Sequence, residues 1–228
     1  PKLRLGESYL EKNYNSLFIF HYKFSTMKLK QLLIILLIMF TYCNPIQESV
    51  LVDTDGKKYL VKKYGDTFWM TENLKTKQDE SGNPIEYYFP NDDSTNMETF
   101  GLLYDFETAS NICPNGWKLP TNGDWKRLLQ SNGGNVAGIY KDSLYWEGEV
   151  NSNSSGFTVR PAGFGNNGEY ENQFKSKTLF WSNSKEEEHF IWTYIFELGN
   201  DSIRVASQHP TYAFSVRCVK SKVGIWVE

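Results

Sequence analysis

The sequence predicts a single exported domain made mainly of short β-strands and turns, with one clear α-helix. Three observations lead to this prediction. Aromatic residues make up 16% of the 228-residue chain and are interspersed with Asn, Ser and Gly, a mixture typical of β-rich domains with many turns. Large side chains recur at every second position from 190 to 198, as on one face of a strand. Residues 121–134 carry helix start and stop signals.

The N-terminal region has the pattern of a lipoprotein signal peptide. Met27 and two nearby lysines precede an apolar run at residues 32–40. This run is too short to span a bilayer comfortably and suits the apolar region of a secretory signal. Cys43 follows at the spacing of a lipidation site, although residues 40–42 are bulkier than the usual small-residue pattern. A cleaved signal without lipid and an uncleaved membrane anchor are the alternatives.

The signal divides the chain into five segments. Residues 1–26 do not begin with Met and are predicted to be an upstream extension, and residues 27–43 are the signal that ends at the lipidated cysteine. Residues 44–50 are a tether, residues 51–221 the domain, and residues 222–228 a C-terminal tail. We expect the protein to be exported and lipid-anchored, in the outer membrane or at the cell surface.

The first part of the domain predicts a hairpin. Residues 57–62 and 67–70 have strand character, and Gly65 and Asp66 supply the turn between them. Residues 53–56 share the start of a calcium loop but lack its third acidic ligand and its distal Glu. They therefore predict a plain turn, and no metal site is expected.

The next segments are less regular. Residues 77–97 predict a long polar loop crossed by a short strand at 87–89, and residues 104–111 predict a modest helix with Asp105 near its first turn. Further along, short strands and turns alternate. Strands are predicted at 157–160, 180–182, 190–198, 203–205 and 213–219, with a Gly/Asn-rich loop at 163–168 and a turn at 199–201.

The clearest helix begins after Thr121. The Thr121 side chain can cap it, while Asp124 three residues later reaches back as in a capping box. Trp125, Leu128 and Leu129 lie at i, i+3 and i+4 and should share a buried face. The glycines at 133 and 134 should end the helix.

A series of short motifs occurs along the whole predicted domain, at residues 53–59, 68–75, 104, 113–121, 125, 134, 137–138, 146, 155–157, 161–163, 180–182 and 215–219. In their order and residues these motifs resemble the Fibrobacter succinogenes major paralogous domain. The resemblance implies an exported protein, often a lipoprotein, of a family with no settled biochemical activity.

The C-terminal motif at residues 215–219 also resembles the end of C-type-lectin-like and formylglycine-generating-enzyme-like domains. This resemblance implies an α+β fold with two helices, a mixed, twisted, antiparallel-rich sheet and long loops. Cys113 and Cys218 can be free thiols or a disulfide. Export favours the disulfide. In a lectin-like fold, a disulfide joins the last strand to a helical region in the same way.

The resemblance implies a ligand site in the long loop region between residues 145 and 180. Its amides, carboxylate and aromatic ring suit hydrogen bonding to and stacking on a sugar, although Asn-rich loops are also what turns alone demand. The candidate ligand-binding residues are Asn151, Asn153, Asn166, Asn167, Glu169, Tyr170 and Asn172.

The function expected is non-catalytic binding or adhesion, with a glycan or a surface protein as partner. A structural subunit of a surface assembly, with no small ligand, is the alternative. The net charge of −3 gives no electrostatic case for nucleic acid. His189 follows three glutamates, a pattern that favours a solvated charge run over a metal site. No spacing singles out a catalytic acid and base, so we expect no enzymatic activity and no cofactor.

The lipid anchor is testable in the native host. Replacing Cys43 by Ser should abolish metabolic lipid labelling of the protein and release it from the membrane fraction, because the thiol is the acceptor of the lipid. Wild-type protein that takes up no lipid label would contradict lipidation, while export would remain open.

Overall fold

The computed structural model of the protein describes residues 49–166, 173–187 and 189–221. Of the α-helices in these ranges, only the one at residues 122–131 is longer than four residues. The described chain is therefore more β-rich than the expected α+β class, although these ranges contain three α-helices where two were expected. The strands are β1 (Ser49–Val52), β2 (Lys58–Tyr64), β3 (Thr67–Met70), β4 (Leu103–Tyr104), β5 (Gly165–Asn166), β6 (Lys177–Glu187), β7 (Phe190–Glu197), β8 (Arg204–Gln208), β9 (Tyr212–Ser215) and β10 (Val219–Ser221), and the helices are α1 (Met97–Phe100), α2 (Phe106–Ala109) and α3 (Asn122–Ser131).

The strands form two sheets. One has the order β1-β2-β3-β10, and the other has the order β4-β9-β6-β7-β8, with β5 paired to β9. All pairings are antiparallel except that of β6 with β9, which is parallel at Phe180 and Ser215, so the larger sheet is mixed. The predicted strand at 213–219 is wrong as one element, because the chain leaves the large sheet after Ser215 and joins the small sheet at Val219.

The predicted hairpin is confirmed. Strands β2 and β3 pair antiparallel from Val61 with Met70 to Tyr64 with Thr67. Gly65 in the turn has φ of 56°, a left-handed conformation that glycine adopts without steric cost. Strand β1 begins at Ser49, inside the segment predicted as a tether, and pairs with β2.

Two predicted strands are reduced to single bridges. Residues 87–89 pair only through Tyr88 with Leu103, and residues 157–160 only through Val159 with Lys141. Thr158 has φ of 58°, which breaks the extended backbone. Its amide donates to the Asn153 side chain at 2.9 Å instead of to a neighbouring strand. A hydrogen bond to a side chain therefore replaces the hydrogen bond between strands at this position.

Helix α3 has the predicted capping box. The Asp124 amide donates to Thr121 Oγ1 at 3.2 Å, and the Thr121 amide donates to Asp124 Oδ2 at 2.9 Å. Asp124 is buried and also pairs with Lys118 and Arg127. Burial alone would raise the pKa of Asp124, but the hydrogen bonds from Thr121 and Lys118 outweigh it and hold the pKa below its usual value. Gly134 closes the helix by donating to Leu129.

Trp125 lies at the centre of an aromatic core. Its indole is fully buried, stacks on Tyr194 at 4.5 Å between centroids and meets Trp69 edge-on at 4.9 Å. Leu128 is also buried, as predicted. Leu129 is partly buried and packs against the same cluster, so the third residue of the predicted face contacts the core without being fully covered.

The predicted bridge between Cys113 and Cys218 is present, with the two Cα atoms 5.7 Å apart. It joins the segment before α3 to the segment before β10, across a sequence separation of 105 residues. Both cysteines belong to a second buried cluster that includes Met70, Leu119 and Trp181.

Removal of the bridge should destabilise the domain. In the chain-entropy account, closing a loop of this length contributes about 4–5 kcal/mol. The double variant Cys113→Ala, Cys218→Ala should therefore lose about this much free energy of unfolding in urea titrations. Free thiols at both positions in the exported wild-type protein, found by non-reducing mass mapping, would contradict the bridge.

Trp125 should contribute most of the stability of its helix face. Trp125→Ala should lower the free energy of unfolding by about 3–5 kcal/mol, because it leaves a cavity among packed rings. The matched control is Lys126→Ala on the exposed side of the same helix, with an expected change within about 0.5 kcal/mol. Equal losses for the two variants in thermal or urea unfolding would refute this assignment.

Candidate functional site

The predicted ligand residues lie in two segments. Asn151 and Asn153 belong to the loop that follows Trp146, and Asn166 ends β5, where its backbone pairs with Tyr212. The other four predicted residues, Asn167, Glu169, Tyr170 and Asn172, lie outside the described residues.

The amides of Asn151 and Asn153 hold the shape of their own loop. Asn153 accepts from the Thr158 amide and donates to Thr158 Oγ1 at 3.1 Å, so both ends of its side chain are used. Asn151 donates to Glu149 Oε2 at 3.0 Å. Neither asparagine lines the three cavities described below.

An open groove lies between α3 and the strands β7 and β8. Its volume is about 380 Å³, within the range of roughly 300–1,000 Å³ typical of small-molecule sites. The lining residues come from the helix, the loop after it and both strands. They are Asn122, Lys126, Leu129, Asn135, Trp192, Tyr194, Ile203 and Val205.

The residues that line the groove are spaced as the periodicities of a helix and of a strand require. On α3, the lining positions 122, 126 and 129 are four and three residues apart and therefore form one stripe. On β7, the lining positions 192 and 194 are two residues apart and point to the same face of the sheet. Ile203 lies just before β8, two residues from Val205 on that strand. Tyr194 and Val205 are direct partners across β7 and β8.

The floor of the groove is apolar and firmly packed. Tyr194 and Ile203 are almost completely buried, and the Tyr194 ring rests on Trp125. Burial raises the pKa of Tyr194 to about 12, so its hydroxyl stays protonated at neutral pH and donates to the Asn122 carbonyl at 3.4 Å. Trp192 is partly exposed and Val205 is 46% exposed. The groove therefore has an aromatic and aliphatic rim above a rigid base.

Two asparagines bring amide groups to the groove. Asn122 Oδ1 is buried and has no hydrogen-bond partner among the described residues. Leaving a buried acceptor unpaired costs about 1–3 kcal/mol, so a donor that reached this atom would remove that cost. Asn135 Oδ1 accepts from the Ile203 amide at 2.8 Å and fixes the second asparagine against β8.

A second cavity of similar volume is acidic. It is lined by Asp79, Glu86, Asp105 and Glu107, among others. Asp79 accepts hydrogen bonds from its own turn, which hold its pKa below the usual value, chiefly through the side chain of Asn83. Asp105 caps α2 through the Thr108 amide. In the described ranges, no group of three or more His, Cys, Asp or Glu side chains is placed to hold a metal ion.

The third cavity is small and lies beside Arg217, with an accessible volume of about 10 Å³, space for one water. Arg217 is fully buried and donates to Asn73 Oδ1 at 3.0 Å, to the Thr158 carbonyl at 2.7 Å and to the Phe157 carbonyl. Its guanidinium lies between the rings of Phe157 and Phe180. Burial lowers the pKa of Arg217 to about 9. These contacts are those of a structural residue.

Both histidines of the predicted domain are exposed. His189 lies in the turn between β6 and β7, after a glutamate at 188 that lies outside the described residues. His209 contacts Thr211 Oγ1 at 2.8 Å through Nδ1. Neither histidine lines any of the three cavities.

The sequence reasoning missed the groove, although two signals pointed towards it. Trp192 belongs to the alternating series on β7, but at the end where that face leaves the core. On α3, the polar residues Asn122 and Lys126 continue into Leu129 along one stripe. Each signal is visible in the sequence, but their meeting is a property of the fold.

The comparisons with known proteins give a family and nothing more. The described residues include no helix of the length and apolar character needed to cross a membrane. A search of curated proteins and a search of solved structures each found no match. The Fibrobacter succinogenes major domain matches residues 62–220, well over half of the chain. The chain therefore belongs to the Fibrobacter succinogenes major domain family.

Proposed function

We propose that the protein is an exported surface lipoprotein whose domain binds a glycan or a protein without catalysing a reaction. The observation that carries the proposal is the groove between α3, β7 and β8. It combines a concave shape, a partly exposed indole and an unpaired amide oxygen. A set of this kind, an apolar pocket with a few placed polar groups, is the usual form of a ligand site.

A C-type-lectin-like fold is part of the proposal. Three features support it: the larger sheet is mixed, the last described strand pairs with the N-terminal hairpin, and Cys218 is bridged to the segment that precedes the main helix. A fold of this class does not determine the ligand, so the proposed binding activity depends on the groove.

A structural subunit of a surface assembly is the second candidate. Strand β1 is an edge strand, and three aliphatic side chains are exposed there on β1 and β2: Val50 at 50%, Val52 at 49% and Leu60 at 45%. Exposed edges and apolar patches are typical contacts between subunits. The exposed Lys58 and Lys63 on β2 weaken this candidate, because lysines near an edge oppose pairing with another sheet.

Binding to cell surfaces tests the proposal. Purified protein is added to cells that lack it, and the bound fraction is measured against concentration. Wild-type protein should bind saturably, and Trp192→Ala should weaken binding at least tenfold, as expected for an aromatic residue at the centre of a contact. Phe190→Ala is the matched control, because Phe190 is 42% exposed on the same strand and lies outside the groove.

The outcome against the proposal is equally specific. If neither variant changes binding, the ligand does not occupy the groove. If the protein instead forms polymers in sedimentation experiments, and Val50→Lys dissolves them while Trp192→Ala does not, the structural-subunit function replaces the binding function.

A further inference from the structure

We infer that the groove holds a sugar ring, stacked on the indole of Trp192 and hydrogen-bonded to the amides of Asn122 and Asn135, with a preference for an acidic sugar at Lys126. This inference rests on the proposed function and names the ligand class of the same groove. It is carried by the chemistry of the lining residues, and it places the ligand outside the loop region indicated by the sequence.

The rim of the groove offers a flat apolar surface. Trp192 is partly exposed, and Val205 beside it on β8 is about half exposed. A pyranose ring has a face made of C–H groups and a perimeter of hydroxyls. An aromatic ring can pack against the C–H face of the sugar, and polar groups near the edge of the aromatic ring must form hydrogen bonds with the hydroxyls. The Tyr194 hydroxyl, protonated at neutral pH, lies in the same groove.

The asparagine amides can form hydrogen bonds with the hydroxyls of a sugar but not with an apolar ligand. A hydroxyl both donates and accepts, and an asparagine side chain offers an acceptor and two donors. Asn122 Oδ1 has no partner within the described chain, and no hydrogen bond from the Nδ2 of Asn122 or Asn135 is found there. An aliphatic side chain or acyl chain in the groove would leave Asn122 Oδ1 buried and unpaired, at a cost that a sugar hydroxyl removes.

The charge of the groove favours an anion. Lys126 is exposed and forms no ion pair within the described ranges, whereas the neighbouring Arg127 is paired with Asp124 at 2.6 Å. None of the described lining residues carries a carboxylate. A uronic acid or a sulfated ring would therefore meet a cation without meeting a like charge.

The same lining determines how the sugar is held. Calcium-bridged sugar binding requires carboxylate or carbonyl ligands around the ion, and the side chains of this groove offer two amides and no carboxylate. We therefore expect direct contacts that do not depend on calcium. The volume of about 380 Å³ lies near the lower end for ligand sites and suits one or two rings.

A glycan array read in the presence of EDTA tests the inference. The array carries oligosaccharides that differ only in a terminal glucose or glucuronic acid, and a terminal galactose or galacturonic acid. Wild-type protein should bind at least one uronic-acid member more tightly than its neutral counterpart. Trp192→Ala and Asn122→Ala should lower the affinity for every bound glycan at least tenfold.

Lys126→Gln separates the charge from the stacking. It should weaken binding of acidic members several-fold more than binding of neutral members, and added salt should have the same selective effect. Phe190→Ala should bind as wild type does. Melting temperatures of all variants close to the wild-type value show that the losses are losses of contact.

Three results would overturn the inference, in distinguishable ways. Binding that EDTA abolishes, or that Trp192→Ala and Asn122→Ala leave intact, places the sugar elsewhere. An empty array, together with cell-surface binding that still depends on Trp192, replaces the sugar by a protein ligand and leaves the proposed function in place. An empty array and no cell-surface binding removes both.

Discussion

A buried positive charge constrains the centre of the domain. The guanidinium of Arg217 has lost its water and must be compensated by protein groups. It receives this compensation from the amide oxygen of Asn73 and from two consecutive backbone carbonyls, those of Phe157 and Thr158. Asn73 is fixed in turn, since its Nδ2 donates to the Phe100 carbonyl and to Ser215 Oγ. The left-handed backbone of Thr158 is retained because its carbonyl is one of these acceptors.

The position of the groove follows from this centre through aromatic contacts. The guanidinium packs between Phe157 and Phe180, with 4.3 Å and 5.2 Å to the ring centroids. Both rings contact Trp125, at 5.9 Å and 5.6 Å, and Trp125 supports Tyr194 in the floor of the groove. Helix α3 and strand β7 are thus held at their separation by a single rigid cluster. A groove built on such support has its shape without an occupant.

The sequence predicted those features that local patterns determine. The β2–β3 hairpin follows from its turn residues, and the start of α3 follows from Thr121 and Asp124. The pairing of Cys113 with Cys218 was predicted from the expected export and from the family-like motifs around these two cysteines, and the bridge is present. Strand periodicity was less reliable at Thr158, because the amide of this residue donates a hydrogen bond to the Asn153 side chain and not to a neighbouring strand.

The candidate site was harder to predict, for a physical reason. Composition does not separate an amide that faces a ligand from one that shapes a loop, so Asn153 was selected although both ends of its side chain are bonded to Thr158. Helical spacing shows that Leu129 is on the same side of the helix as Trp125. It does not show how far the neighbouring sheet covers that side, and so it does not predict that Leu129 is only partly buried. The two walls of the groove lie more than sixty residues apart in the sequence and meet only through the fold.

The disulfide also divides the domain mechanically. All lining residues of the groove lie between Cys113 and Cys218, inside one covalent loop. A pulling force that enters from the N-terminal side first meets β1, which pairs with β2 among the described strands and packs Leu51 into the core. Such a force can extend residues 49–112, a length of roughly 200 Å at about 3.5 Å per residue. It cannot lengthen the chain between the two cysteines. A load on the N-terminal side can therefore lengthen residues 49–112 and remove the contacts of Trp69 and Asn73, while the covalent loop that carries the lining residues keeps its contour length.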